Sequence, residues 1–174
     1  MAALLVSLPL QIACQIMCGT NSTNNNLNCF DNTPSFQQHA PLSKGYVAFP
    51  DIGLAFKSYH DKEVTWDEAR RRCIENGANL AVIDSMTTQD YIMKVKPAMS
   101  SAHVGIHRFF NGEEWTSVKN GLPVSLVPWA PNQPFEGADL KCVGMWHDGR
   151  GLFSETCTDK RHFLCEISIP KENV

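Results

Sequence analysis

Residues 129–165 read WAPNQPFEGADLKCVGMWHDGRGLFSETCTDKRHFLC, and this stretch decides the fold. It holds three of the chain's seven cysteines, Cys142, Cys157 and Cys165, behind a Pro131-Asn132-Gln133-Pro134 turn, with tryptophans at 129 and 146. The Asp148-Gly149 and Arg150-Gly151 steps read as a hairpin turn between strands Cys142–Trp146 and Leu152–Phe153. The pattern is that of loops braced by disulfides.

Working outward, the chain is 174 residues long. That suits one globular domain of about 100–150 residues with its own core, plus an accessory segment. A formal net charge of -3 supplies no basic surplus to gather around phosphates, which argues against a nucleic-acid partner. Seven cysteines without the CxxC pairs of zinc ribbons indicate disulfides, hence an oxidising, extracellular setting. The first 18 residues, MAALLVSLPLQIACQIMC, form an apolar run with small residues near its end and read as a signal peptide cleaved between 14 and 19, although no Lys or Arg precedes the run. Interrupted by Pro9 and Gln11, it is too short and polar for a spanning helix of about 20 apolar residues. A secreted chain with no membrane span is expected.

Residues 19–44 are rich in Asn, Ser, Thr, Gln and Pro and read as an irregular N-terminal arm carrying one glycosylation acceptor, Asn21-Ser22-Thr23. Cysteine parity ties the leader to assembly. Cleavage after Cys14 leaves Cys18 and Cys29 to pair, whereas cleavage after Cys18 leaves Cys29 odd and implies an intermolecular bridge and a homo-oligomer. The sequence leaves both open.

A globular pattern runs from 45 to 170. Tyr46, Val47, Phe49, Leu54, Phe56 and Tyr59 lie in short extended runs broken by Pro50 and Gly53. Thr65-Trp66-Asp67-Glu68 predicts a capping box and a helix, with Trp66, Ala69, Cys73 and Ile74 inward, Arg70, Arg71 and Arg72 solvated and Gly77 at the C-terminal cap. Leu80 to Ile83 reads as a short buried run. Cap candidates from Asp84 to Thr88 precede a second helix through Tyr91, Ile92 and Val95, stopped by Pro97. Ala102, Val104 and Ile106 alternate with His103, Gly105 and His107, which predicts a half-buried strand. Its two histidines stand about 13 Å apart along the strand, too far to chelate one metal ion.

The order of these features, TWDEARRRC, LAVI, a second helix, HVGI, Trp115, WAPNQP and the last three cysteines, resembles the C-type lectin-like domain from about Tyr46 to Ile167. The wording TWDEARRRC, AHVGIH and PNQP is most similar to the haemolymph immune lectins of insects. The resemblance implies an α+β fold of two helices and two small antiparallel sheets with a long loop region. It also implies disulfides Cys73–Cys165 and Cys142–Cys157. Staples of that length contribute roughly 4–5 and 3 kcal/mol in the chain-entropy model.

Lectins of this family usually bind sugar through calcium, held by a Glu-Pro-Asn or Gln-Pro-Asp triplet, a glutamate two residues before the third cysteine, and a Trp-Asn-Asp triplet. Carried onto this chain, those positions are Gln133-Pro134-Phe135, Leu140 and Leu152-Phe153-Ser154. Only Gln133 keeps a good oxygen ligand and Ser154 is a poor substitute, so no cofactor is expected. Asp139 and Glu155, each one residue from a lost position, are the weak candidates to rescue a calcium ion, and Glu136 is a neighbour of the same kind. The ligand-binding candidates are therefore Gln133, Phe135, Leu140, Phe153 and Ser154, with Trp129 and Trp146 near them in sequence. Folded inward, the apolar replacements plug the loops; left exposed, they make a contact patch.

Two readings of function follow. One is a secreted lectin recognising microbial or cell-surface carbohydrate, of innate immune type, without the usual calcium bridge; the other is a module of the same fold that binds a protein ligand. No enzyme is expected, because His103, His107, His147 and His162 stand in no nucleophile motif and Ser154 has no elbow around it.

Overall fold

Met17–Thr20 (β1) and Leu27–Phe30 (β2) pair antiparallel, with Cys18 opposite Cys29. The arm expected to be irregular from residue 19 therefore contains a ladder: backbone pairing satisfies N–H and C=O groups without needing an apolar repeat in the sequence. The computed structural model describes residues 17–20, 27–30, 42–110 and 112–171. Residues 1–16 of the expected leader, Cys14 among them, and the Asn21 acceptor lie outside the described residues. Two units divide the chain, Met1–Pro41 and Leu42–Val174. The second is described from here on.

Val47–Phe49 (β3) turns through Pro50 and Gly53 into Leu54–Val64 (β4), an 11-residue strand free of Gly and Pro. Trp66–Glu75 (α1) follows, then Asn79–Leu80 (β5), Met86–Val95 (α2), Ala102–His107 (β6) and Thr116–Ser117 (β7). Cys142–Met145 (β8), Leu152–Glu155 (β9) and Arg161–Ser168 (β10) close the chain. The sheet order is β3-β4-β10-β6-β8-β9. Its two antiparallel groups meet at a short parallel ladder, where His162 and Phe163 of β10 lie beside Ala102 and His103 of β6.

Helix α1 differs from expectation at both ends of its buried stripe. Thr65 occupies the N-cap but makes no side-chain cap bond. Glu68 instead accepts from Arg71 (2.8 Å) and Arg72 (2.8 Å), so a side-chain ion pair has displaced the reciprocal cap. Trp66, Ala69 and Cys73 are buried as expected, while Ile74 is 50% exposed. One residue advances a helix by about 100°, which turns Ile74 off the stripe that Cys73 closes. Gly77, at φ 69°, takes the left-handed turn after the helix. In α2 the cap is Ser85, whose hydroxyl accepts Thr88 N–H at 3.1 Å.

Strand β6 is buried along its whole length, not on one face. Its apolar face, with Ala102, Val104 and Ile106, joins Ala81, Ile83, Ile92, Val143, Met145 and Leu152 in the main core. The other face is covered as well. A Cβ on Gly105 would stand 2.2 Å from the Leu80 carbonyl oxygen, so only glycine lets β5 and β6 approach. His103 is fully buried with Nε2 2.9 Å from the Val64 carbonyl and Nδ1 2.7 Å from Glu155 Oε1. A carbonyl can only accept, so Nε2 is the donor to Val64. Polar residues fill a buried face here because each finds a partner.

Two disulfides lie in this unit, Cys73–Cys165 and Cys142–Cys157, spanning 92 and 15 residues. Cys73, Cys142 and Cys165 sit in a second core cluster with Trp66, Leu80 and Phe163. Covalent links and apolar packing therefore fasten the same junction, where α1, β10 and β8 meet. Glu166, 1% exposed, accepts Val82 N–H (3.0 Å) and pairs with Lys119 Nζ (2.7 Å). Burial raises its pKa, opposed by Lys119.

Candidate functional site

The long connection between β7 and β8 carries the sequence-predicted site residues, and β9 supplies the rest. Gln133 precedes a cis peptide to Pro134. Its side-chain oxygen accepts the backbone N–H of Ser154 at 3.0 Å and that of Phe135 at 3.3 Å. The Ser154 hydroxyl accepts Phe135 N–H at 2.9 Å and lies 3.2 Å from the Phe135 carbonyl and 3.3 Å from Gln133 Oε1. Gln133 and Ser154 thus clip the loop to β9 through backbone bonds, and the one retained oxygen ligand is spent inside the fold.

The three apolar replacements do not share one fate. Phe153 is 4% exposed, with its ring 4.2 Å from that of Trp146. Arg161 lies 5.2 Å over Phe153 and Arg150 lies 5.5 Å over Trp146, so two guanidinium groups sandwich the ring pair. Leu140 is half-buried and packs its side chain over Gly137. Phe135 is 56% exposed. Plugging describes Phe153, then, and an open contact surface describes Phe135. Trp129 belongs to neither: its ring stands edge-on to Trp115 at 5.0 Å and packs against the main core.

Sequence reasoning missed Arg108. It is 6% exposed, donating from Nε to the Leu140 carbonyl (2.9 Å) and from Nη2 to the Gly137 carbonyl (2.9 Å). Its guanidinium also lies 4.8 Å over Trp115 and 3.5 Å from Glu136. One planar fork therefore gathers the carbonyls of the 136–141 loop, a geometry suited to arginine and not to lysine. A cleft of about 380 Å³ opens there, lined by Arg108, Glu136, Gly137, Ala138 and Lys141. A signal existed: Arg108 follows His107 directly, and alternation along an extended chain sends it to the opposite side from His107 and Phe109.

The hairpin after β8 is held from α2. Gln89 donates to the Gly149 carbonyl at 2.9 Å, and buried Lys96 donates to the His147 carbonyl at 3.0 Å. Burial lowers the Lys96 pKa, with Asp148 opposing. Asp148 is itself held at about 2, chiefly by its hydrogen bond from Arg150.

The two rescue candidates differ in setting. Glu155 is 2% exposed and engaged by His103 and Arg161. Asp139 is exposed, and its carbonyl accepts Lys141 N–H at 3.0 Å. Among the described residues no group of three or more His, Cys, Asp or Glu side chains is placed to hold a metal ion.

These features define a class of protein: a disulfide-braced α+β domain with a long loop region between β7 and β8. Residues 62–167 match the Lectin C-type domain, and the chain belongs to that family. Members of the family are binding modules and not enzymes. The chain is 29% identical over 128 residues to the hemolymph lipopolysaccharide-binding protein of Periplaneta americana, covering 67% of this chain and 50% of that protein. It therefore spans half of that relative's length. It is also 29% identical over 129 residues to salivary C-type lectin 2 of Aedes albopictus, covering 62% of this chain and 80% of that one. Among solved structures, the mouse scavenger receptor C-type lectin carbohydrate-recognition domain superposes with a TM-score of 0.65 at 22% identity, over 76% of this chain and 99% of that chain. A calcium-independent type II antifreeze protein superposes at 0.66 and 22% identity, over 75% and 98%. The last two likenesses concern the fold.

Proposed function

We propose that this chain is a secreted glycan-recognition protein of innate immune type that orders its binding loop without a calcium bridge. The observation that carries the second half is Gln133, whose oxygen is bound by two backbone N–H groups while the other ligand positions hold Phe135, Leu140 and Phe153. Calcium takes about six to eight oxygens, and the residues present here do not fit that need. Phe135 and the adjoining Arg108 cleft form the proposed contact surface. Family membership supports the glycan half, as do relatives described as a haemolymph lipopolysaccharide-binding protein and a salivary lectin. Export is supported by the two disulfides and by the nature of those relatives; among the described residues no helix is long and apolar enough to cross a membrane.

A microbial glycan array probed with and without chelator tests the reading. Binding of equal strength in both conditions is expected, together with no change in melting temperature on calcium titration. A calcium-dependent signal sinks the proposal. Phe135→Ala should lower glycan binding while leaving the melting temperature unchanged, since the ring is more than half exposed. The second reading, a protein ligand, draws on the same exposed ring; a blank array with a protein captured from body fluid selects it.

A further inference from the structure

A second cleft, of about 360 Å³, opens beside the end of β6 and the first turn of α1. Trp66, Asp67, Arg70, His107, Phe109 and Phe110 line it. It lies on the opposite side of the chain from the Arg108 clamp, because His107 and Phe109 turn toward Trp66 while Arg108 turns toward Leu140. We propose that this cleft binds an anionic sugar ring, stacked on Phe109 and Phe110 with its acidic group on Arg70. The inference rests on the glycan reading and adds to it a separate subsite with a charge preference.

The platform is built from rings in contact. Phe110 is 75% exposed and Phe109 41% exposed. Behind them, His107 stacks on Phe109 at 4.3 Å and meets Phe110 edge-on at 5.5 Å, while buried Trp66 meets Phe109 edge-on at 5.4 Å. Ring faces held this way, open to solvent on one side, suit the C–H face of a pyranose.

The charge comes from one arginine of three. Arg71 and Arg72 are tied to Glu68 and Glu75. Arg70 on the same helix takes no carboxylate among the described residues and faces the cleft. Its field reaches inward, since it adds to burial in lowering the His107 pKa. His107 Nδ1 lies 3.4 Å from the Phe109 N–H and 3.3 Å from the Thr116 hydroxyl, which fixes the ring behind the platform. Asp67 supplies an acceptor for sugar hydroxyls. A guanidinium and a carboxylate beside stacked rings match a polyol carrying one negative group. An acidic polypeptide would use Arg70 and leave the ring platform idle.

The test is calorimetry on the full chain at low ionic strength. The probes are oligogalacturonate, its methyl ester, a heparin-derived sulfated oligosaccharide and polyglutamate. The ester keeps the ring and loses the charge, and the carboxylated and sulfated probes separate the two sources of anion. Wild type should bind at least one anionic saccharide about tenfold more tightly than the ester, the range of a charge-assisted hydrogen bond. Arg70→Gln should abolish that preference, and Phe110→Ala should weaken acid and ester alike; both positions are exposed, and unchanged melting temperatures verify the fold. A preference that survives Arg70→Gln overturns the proposal, as do indifference to Phe110→Ala, equal binding of polyglutamate, or binding of neither anionic saccharide. Array binding unchanged in both variants removes this subsite and leaves the glycan reading standing; an array blank for wild type removes both.

Discussion

His107 shows how one side chain can make stability depend on pH. It is 6% exposed, and its pKa is lowered first by burial and then by Arg70. A histidine with a depressed folded pKa contributes stability that is present above its unfolded value of about 6.5 and lost as pH falls through the folded value. Urea midpoints at pH 7.5 and pH 5 should therefore fall further apart for wild type than for His107→Gln, all other groups being common to both. Equal differences would exclude His107 as the titrating group. That residue's place on a strand was legible from the alternation of AHVGIH, but burial of both strand faces was not. The partners of His103 are Val64 and Glu155, 39 and 52 residues away, and no local pattern reports a contact at that range.

At the scale of elements, residues 136–141 of the loop between β7 and β8 are gathered by Arg108, a residue from outside the loop's own turn. Two carbonyls three residues apart, Gly137 and Leu140, converge on one guanidinium. Arg108→Lys keeps the charge and loses the fork, so it should cost about 1–3 kcal/mol in urea denaturation. Proteolytic cleavage within residues 136–141 should quicken as well, whereas an unchanged digestion pattern would show that the loop is held otherwise. Both helices were legible from periodicity and from the Pro97 and Gly77 stops, and the hairpin from its Asp-Gly and Arg-Gly steps. The missing capping box was not, because Thr65 and Glu68 fit the motif equally well whether Glu68 reaches back to the cap or forward to Arg71 and Arg72. The apolar replacements were visible as substitutions. Their separate fates were not, since burial of Phe153 depends on where Trp146 and Arg161 arrive from elsewhere in the chain.

For the whole molecule, the cysteines set the largest testable statement. In the N-terminal unit, Cys18 and Cys29 are opposed on antiparallel strands. Opposed Cα atoms on such strands stand about 4.5–5.5 Å apart, inside the range a disulfide spans. Peptide mapping without reduction should recover Cys18 joined to Cys29 beside Cys73–Cys165 and Cys142–Cys157. A free Cys18 thiol, or Cys18 linked to any other cysteine, would refute the pairing. The order of the domain was legible as a resemblance because its cysteines and turn residues lie in sequence. What binds it was less so, since the family's ligand positions have changed character here. Arg108 gives that change its meaning. A metal-ordered loop shares its shape with the surrounding fluid and loses it when the ion is withdrawn. A guanidinium belongs to the chain, stays charged throughout the physiological range and cannot diffuse away. On the calcium-free reading proposed above, loop order would be inherited at folding, and recognition would be constitutive instead of conditional on the medium.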